Sequence, residues 1–263
     1  TDEQIGSRKN WKISVSGVKN PKTFTLAQLQ KLGHTTIATI LQCSGNGRGF
    51  FAHKVRGSQW KTGAAACVLW TGVPVKAVVD ACGGIASGAV FMTSSGVDHA
   101  PTGLDPKKAM VERSVPKKAY KDAILAWEMN GDPLPNSHGG PLRTITPGYF
   151  GINNVKHVGK LSFTDKESDV KYMKSSYRIS PIGKKGSQYS TCWEMPVKSW
   201  ITRPTDETDT VKAGKVQIVG VAMGGTKKAK SVKVSVDGGK SWKKAKFIGP
   251  DLGKFAWRQF ALE

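Results

Sequence analysis

Strict alternation of apolar and polar residues sets the first recognisable element: Trp11, Ile13 and Val15 in WKISVSGV put one face of a strand toward a core. Thr25 then stands where a helix cap is wanted, ahead of Leu26, Leu29 and Leu32 on one helical face. The β-branched run TTIATILQ predicts another strand, which leads straight into CSGNGRG. From Pro74 onward, Val75, Val78, Val79 and Cys82 recur with helical period, and the paired glycines after Cys82 suit the helix end. AVFMTSS and AILAWEM read as strands; the first runs into the loop GVDHAPTG, the second through the turn signal NGDP toward HGGPLRTITPGYFG.

The pattern changes beyond SPIGKKGSQYST, a polar stretch rich in Gly and Ser. VKAGKVQIVGVAMGG, AKSVKVSVDGGKSWKKAKF and KFAWRQFALE are short alternating strands, with Asp237-Gly238-Gly239 as a hairpin turn. The fold class is therefore α+β: a mixed α/β domain over 1–180, a linker over 181–195, and a β-sandwich over 196–263. An immunoglobulin-like sandwich has about seven strands. Four or five are countable here, so this second domain reads as truncated.

Charge adds a constraint. The chain carries 40 Lys+Arg against 19 Asp+Glu, a formal +21, while 8 Trp, 9 Phe and 5 Tyr supply core material and argue against disorder. The same long-range field attracts nucleic acid, an anionic membrane, an acidic protein or a small anionic substrate. Only 8 of the 40 basic residues are Arg, the residue suited to bidentate reading of bases and phosphates, so diffuse steering is favoured over nucleic-acid recognition. No apolar run reaches the roughly 18 residues of a membrane span. The chain opens on Thr-Asp-Glu-Gln instead of a basic, then apolar, leader, which suits a cytoplasmic protein or one whose leader lies outside this sequence. Cys43, Cys67, Cys82 and Cys192 match no zinc spacing and make no disulfide framework.

The most informative stretch is LQCSGNGRGFF. Cys43 stands where an apolar strand meets a loop holding Gly45, Gly47 and Gly49, which let the backbone approach a ligand closely. Arg48 puts a permanent cation nearby and favours the thiolate. These residues describe a metal-thiolate or nucleophile site. The glycine spacing fits neither GxGxxG nor a P-loop, and no His is marked locally as the base of a cysteine hydrolase. Cys67 in GAAACVLW and Cys82 in VVDACGG read as core fillers.

Taken together, Cys43 in LQCSGNGR, Asp98 in VDHAPTG, AWEMNGDPLPNSHGGPLRTITPGYFG and VKHVGKL resemble the molybdopterin-dependent sulfite oxidase family, most of all the bacterial sulfite dehydrogenases that use cytochrome c. The likeness covers nearly the whole chain, and VKVSVDGGKSWKKA resembles that family's immunoglobulin-like dimerisation domain. It implies a molybdenum-molybdopterin cofactor and oxidation of sulfite to sulfate by oxo transfer. It further implies a c-type cytochrome as electron acceptor, a homodimer formed through the C-terminal domain, and a periplasmic location. Cys43 would be the thiolate ligand of molybdenum, Arg48 and Tyr177 would serve catalysis, and Asp98, His138, Arg143 and Lys156 would hold the pterin and its phosphate. Trp60 matches an aromatic near the pocket, whereas His53 and His157 are assigned no role. An Arg-Asn-His segment that the family carries upstream of its first strand is not in this sequence, which suits a chain trimmed at both ends. Two alternatives stand beside this reading: a related sulfur-compound dehydrogenase, and a non-catalytic Lys-rich protein that binds polyanions.

Overall fold

In the computed structural model, residues 7–53, 55–97, 100, 102–205 and 210–263 are described. The chain divides into two compact units: Thr1–Ile37 with Val68–Trp193, and Ala38–Cys67 with Glu194–Glu263.

The first unit begins with β1 (Lys12–Ser16) and β2 (Lys22–Thr25), followed by α1 (Leu26–Lys31). Thr25 caps α1 by accepting the Gln28 amide while the Gln28 side chain accepts from the Thr25 amide, a reciprocal pair that satisfies two exposed donors. Along the chain there follow β3 (Thr35–Gln42), whose residues from Ala38 on are counted in the second unit, and β4 (Ala65–Pro74), counted in the first from Val68; then α2 (Val75–Ala81), β5 (Phe91–Gly96), β6 (Glu112–Pro116), β7 (Ile124–Met129), β8 (Asp132–Pro133), β9 (Arg143–Ile145) and β10 (Val158–Thr164). One sheet has the order β2-β1-β10-β5-β6, with β1 parallel to β10 and the other neighbours antiparallel. In the other, β7 pairs with β4, β8 and β9. The turn from β7 to β8 is Asn130-Gly131, both at positive φ (55° and 90°) as a tight hairpin requires.

Trp11, Ile13 and Val15 are buried with Leu26, Leu29, Val75, Val78, Val79 and Cys82 in one apolar cluster, as their periodicity requires. Leu125, Leu142, Val158 and Leu161 join it from β7 to β10. Burial of this kind is the dominant favourable term in folding.

The second unit holds β11 (Lys198–Arg203), β12 (Ile218–Met223), β13 (Lys233–Val234), β14 (Lys243–Lys244), β15 (Lys246–Ile248) and β16 (Arg258–Leu262). Its main sheet has the order β11-β12-β16-β15, and β13 pairs with β14. Ala222, Val234, Ala245 and Phe260 form the core of this immunoglobulin-like β domain. Asp237-Gly238-Gly239 lies in the hairpin between β13 and β14, as expected, and the connection, residues 235–242, is a loop closed by side chains. Asp237 accepts from the Ser241 amide (2.9 Å) and hydroxyl (2.5 Å), and Ser235 accepts from the Gly239 amide (2.8 Å). Serine and aspartate compete with the strand ladder by bonding nearby backbone, which ends β13 at Val234. Among the described residues no helix is long and apolar enough to cross a membrane.

Candidate functional site

The segment with the most chemistry lies in the second unit, where β3 ends at Gln42 and the backbone turns. The Cys43 amide donates to Ala64 O (2.9 Å), Gly47 to Lys61 O (2.6 Å) and Gly49 to Trp60 O (2.8 Å), so the glycine loop is laced to residues 60–64. Cys43 is the one cysteine that is exposed, and its Sγ accepts the Gly45 amide at 3.4 Å.

Arg48 is half-buried and donates through Nη1 to Ser58 O (3.1 Å). Its guanidinium lies between two glycines. A β-carbon at Gly45 would stand 2.8 Å from the guanidinium carbon, and one at Gly57, which has φ +103°, would overlap Nη1. Here glycine is needed for close approach as well as for backbone sign. Cys43 and Arg48 are thus brought to one short loop, with Gly45 touching both.

Two residues that hold this loop, Asn46 within it and Lys198 on β11, escaped the sequence reading. Buried Asn46 uses its whole polar complement: its amide donates to Cys43 O (3.0 Å), Nδ2 to Gln42 Oε1 (3.3 Å), Oδ1 accepts from Ala64 N (3.0 Å), and its carbonyl accepts from Lys198 Nζ (2.5 Å). Burial lowers the Lys198 pKa. Lys198 opens β11, and nothing beside it in the sequence announces an ammonium reaching the cysteine turn.

In the first unit, His138, Arg143 and Lys156 come together. Arg143 is 4% exposed; it donates to His138 O (2.7 Å) and Asn154 O (3.2 Å), and its guanidinium lies 5.4 Å from the Trp70 ring centroid. Burial draws its pKa down to about 10, which leaves it cationic at neutral pH. His138 and Lys156 are exposed, and Lys156 Nζ donates to Ser137 O (2.6 Å). His157 joins the same turn through Nε2, 2.8 Å from Asn136 O. Asp98 lies outside the described residues.

Tyr177 is 37% exposed and at φ +55°, a backbone region that aromatic residues rarely adopt. Neighbours on both sides hold it there: Cys192 N donates to Tyr177 O (2.8 Å), and Arg178 bonds Met173 O (2.9 Å), Tyr189 O (3.2 Å) and Glu167 (2.7 Å). Strain that the surroundings enforce is a mark of functional positions.

The remaining candidates fall into ordinary roles. Cys82 is buried and Cys67 half-buried, and burial pushes both thiols up, which makes them poor nucleophiles. His53 stacks on Phe51 at the surface, with ring centroids 5.8 Å apart. Trp60 is 45% exposed and lends its carbonyl to the glycine loop.

Taken separately, each unit holds groups whose chemistry suits part of a molybdopterin cofactor. An exposed thiol that accepts an amide hydrogen bond suits a soft metal. Two exposed bases over a buried guanidinium suit a phosphate, and the buried indole Nε1 of Trp70, beneath Arg143, has no hydrogen-bond partner in the protein.

Comparison with known proteins agrees. Residues 2–172 match the family described as oxidoreductase molybdopterin binding domain, and residues 189–262 match the Mo-co oxidoreductase dimerisation domain. Mitochondrial sulfite oxidase of Rattus norvegicus is 31% identical over 96% of this chain and 48% of its own. Nitrate reductase [NADH] 2 of Phaseolus vulgaris is 29% identical over 97% of this chain and 32% of its own. The sulfane dehydrogenase SoxCD of Paracoccus pantotrophus superposes with a TM-score of 0.82 at 28% identity, covering 98% of this chain and 64% of that one. The chain spans about half the length of the mammalian sulfite oxidases it matches.

Proposed function

This chain belongs to the oxidoreductases with a molybdopterin-binding domain, of the sulfite oxidase type, and from that premise we propose that it oxidises sulfite to sulfate and passes the electrons to a c-type cytochrome. The observation that carries the reading is the loop on which an exposed thiol, Cys43, and a clamped guanidinium, Arg48, share Gly45. When bound, the molybdenum cofactor supplies the two-electron redox chemistry and the oxygen transfer. The protein's part is binding, orientation and positive potential. Cys43 is the thiolate that holds the metal. Arg48 would offer charge-assisted hydrogen bonds to a doubly charged oxyanion, the Tyr177 phenol would give that oxyanion a further hydrogen bond, and His138, Arg143 and Lys156, with Asp98, would hold the pterin and its phosphate.

A second reading, in which the substrate is another reduced sulfur compound, draws support from the likeness to the sulfane dehydrogenase. The dimerisation-domain match supports a homodimer. A periplasmic site of action and the domain limits 1–180 and 196–263 belong to the same proposal.

The test is expression in a host that makes the cofactor, metal analysis, then sulfite-dependent reduction of cytochrome c. Cys43→Ser should lose both molybdenum and turnover while keeping its melting temperature. A molybdenum-loaded protein that ignores sulfite but oxidises a sulfane sulfur favours the second reading. A wild-type chain without molybdenum overturns both in favour of a polyanion-binding role.

A further inference from the structure

The first unit buries a guanidinium beside Tyr177. Arg113, on β6, is 1% exposed; its Nε and Nη2 both donate to Asn153 Oδ1 (3.1 and 2.9 Å) and its Nη1 donates to Tyr172 O. Its guanidinium carbon lies 5.8 Å from the centroid of the Tyr177 ring. Burial lowers the Arg113 pKa to about 10, so the group is a cation at neutral pH.

Asn153 ties this cation to the backbone of the tyrosine. Its Nδ2 donates to Cys192 O (2.9 Å) and Trp193 O (3.2 Å), and Cys192 N donates to Tyr177 O. Ring and main chain of Tyr177 therefore rest on one buried network. The neighbouring cation, Arg178, is ion-paired with Glu167 at 2.7 Å, which leaves Arg113 as the guanidinium over the ring. An apolar side chain would fill this space without the cost of burying an ion. What it could not do is hold an aromatic face by its quadrupole.

We propose that Arg113 is a positioning residue for Tyr177, fixing the phenol where it meets the oxygen of the substrate. This rests on the reading of Tyr177 as a substrate-side group.

A double-mutant cycle in the cofactor-loaded full chain separates positioning from mere packing. Arg113→Met should lower kcat/KM for sulfite about tenfold at unchanged molybdenum content, between the sizes expected for an exposed and a fully desolvated cation–π contact. Arg113→Lys should recover part of the loss and, since it keeps the charge, carries the test where Arg113→Met does not fold. Arg113→Met combined with Tyr177→Phe should be no worse than Tyr177→Phe alone. Additive losses, or wild-type kcat/KM in both Arg113 variants, overturn the proposal. Nitration of Tyr177 by tetranitromethane in the cofactor-free chain, followed by mass spectrometry with Tyr172 as neighbour, reads the contact without turnover. A severalfold change in the Arg113 variants supports it and an unchanged rate overturns it. If Tyr177→Phe alone turns over sulfite like the wild type, the reading of Tyr177 falls, while the nitration rates still decide whether Arg113 holds the ring.

Discussion

There is no room for a methyl group between the α-carbon of Gly57 and the guanidinium of Arg48: a β-carbon there would overlap Nη1. The obstruction is the tip of a flexible side chain, so Gly57→Ala is relieved by moving Arg48. The backbone cost of an alanine at this positive φ is roughly 1–2 kcal/mol. Losing a charge-assisted hydrogen bond to the substrate is worth a similar amount or more. Gly57→Ala is expected to raise KM for sulfite about tenfold with kcat less affected, and Arg48→Gln to raise KM further and lower kcat as well. Steady-state kinetics with an artificial acceptor checks this; an unchanged KM in both variants would remove Arg48 from the substrate site.

Lys198→Met should loosen the cysteine turn. It leaves the Asn46 carbonyl without its ammonium donor, and an unsatisfied polar group of this kind costs about 1–3 kcal/mol when buried. The loss is partly offset because the fold disfavours the charged form of Lys198, whose pKa burial lowers. The readout is alkylation of Cys43 by iodoacetamide, with peptide mapping to separate it from half-buried Cys67 and buried Cys82 and Cys192. A severalfold change in the Cys43 rate is expected. An unchanged rate would mean that the turn is held without Lys198.

Acid should selectively remove the contribution of the Asp237 loop. Hydrogen bonds from Ser241 and Ser235 hold the Asp237 carboxylate at a pKa of about 2 against an ordinary 3.8. A depressed folded pKa stabilises the fold above the unfolded value, and that contribution fades as pH falls through the folded one. The melting-temperature gap between wild type and Asp237→Asn should therefore be full above pH 4 and close as the pH drops toward 2. A gap constant over that range would rule out the carboxylate as its cause.

Salt should act on the encounter with the electron acceptor more than on chemistry. Most of the +21 is lysine, and the field of exposed charges is screened beyond a Debye length of about 8 Å at physiological ionic strength. Raising ionic strength is expected to slow reduction of cytochrome c more than that of a neutral dye. Equal slowing of both would argue against steering.

Local pattern carried much of the fold. The alternation at Trp11, Ile13 and Val15, the Thr25 cap, the helical spacing from Val75 to Cys82 and the Asn130-Gly131 turn each depend on neighbours within a few residues, and each is in place. In the site, the loop of Cys43 and Arg48 was legible because thiol, glycines and cation are adjacent in sequence. Lys198 and the Arg113–Asn153 pair were not, since their roles come from contacts across 152 and 40 positions that no periodicity announces, and Asn46, whose side chain bridges Gln42 and Ala64, sits in a loop that has no periodicity to read. The hairpin at Asp237 was legible from DGG, but its eight-residue length was not, because the serine hydroxyls that widen it look like ordinary strand residues.

The unit that carries the thiol also constrains when it can be completed. Ile40 N donates to Phe255 O at 3.1 Å, and the half-buried thiol of Cys67 takes a hydrogen bond from the Trp257 backbone. Phe255 and Trp257 are made roughly 190 residues after Cys67, so at about 5–20 residues per second residues 38–67 wait on the order of 10–40 s for the segment that closes these bonds. Until that segment exists, the stretch that carries Cys43 lacks two of the contacts that hold its unit together, and any agent that guards the thiol in that interval must recognise it in an incompletely folded chain.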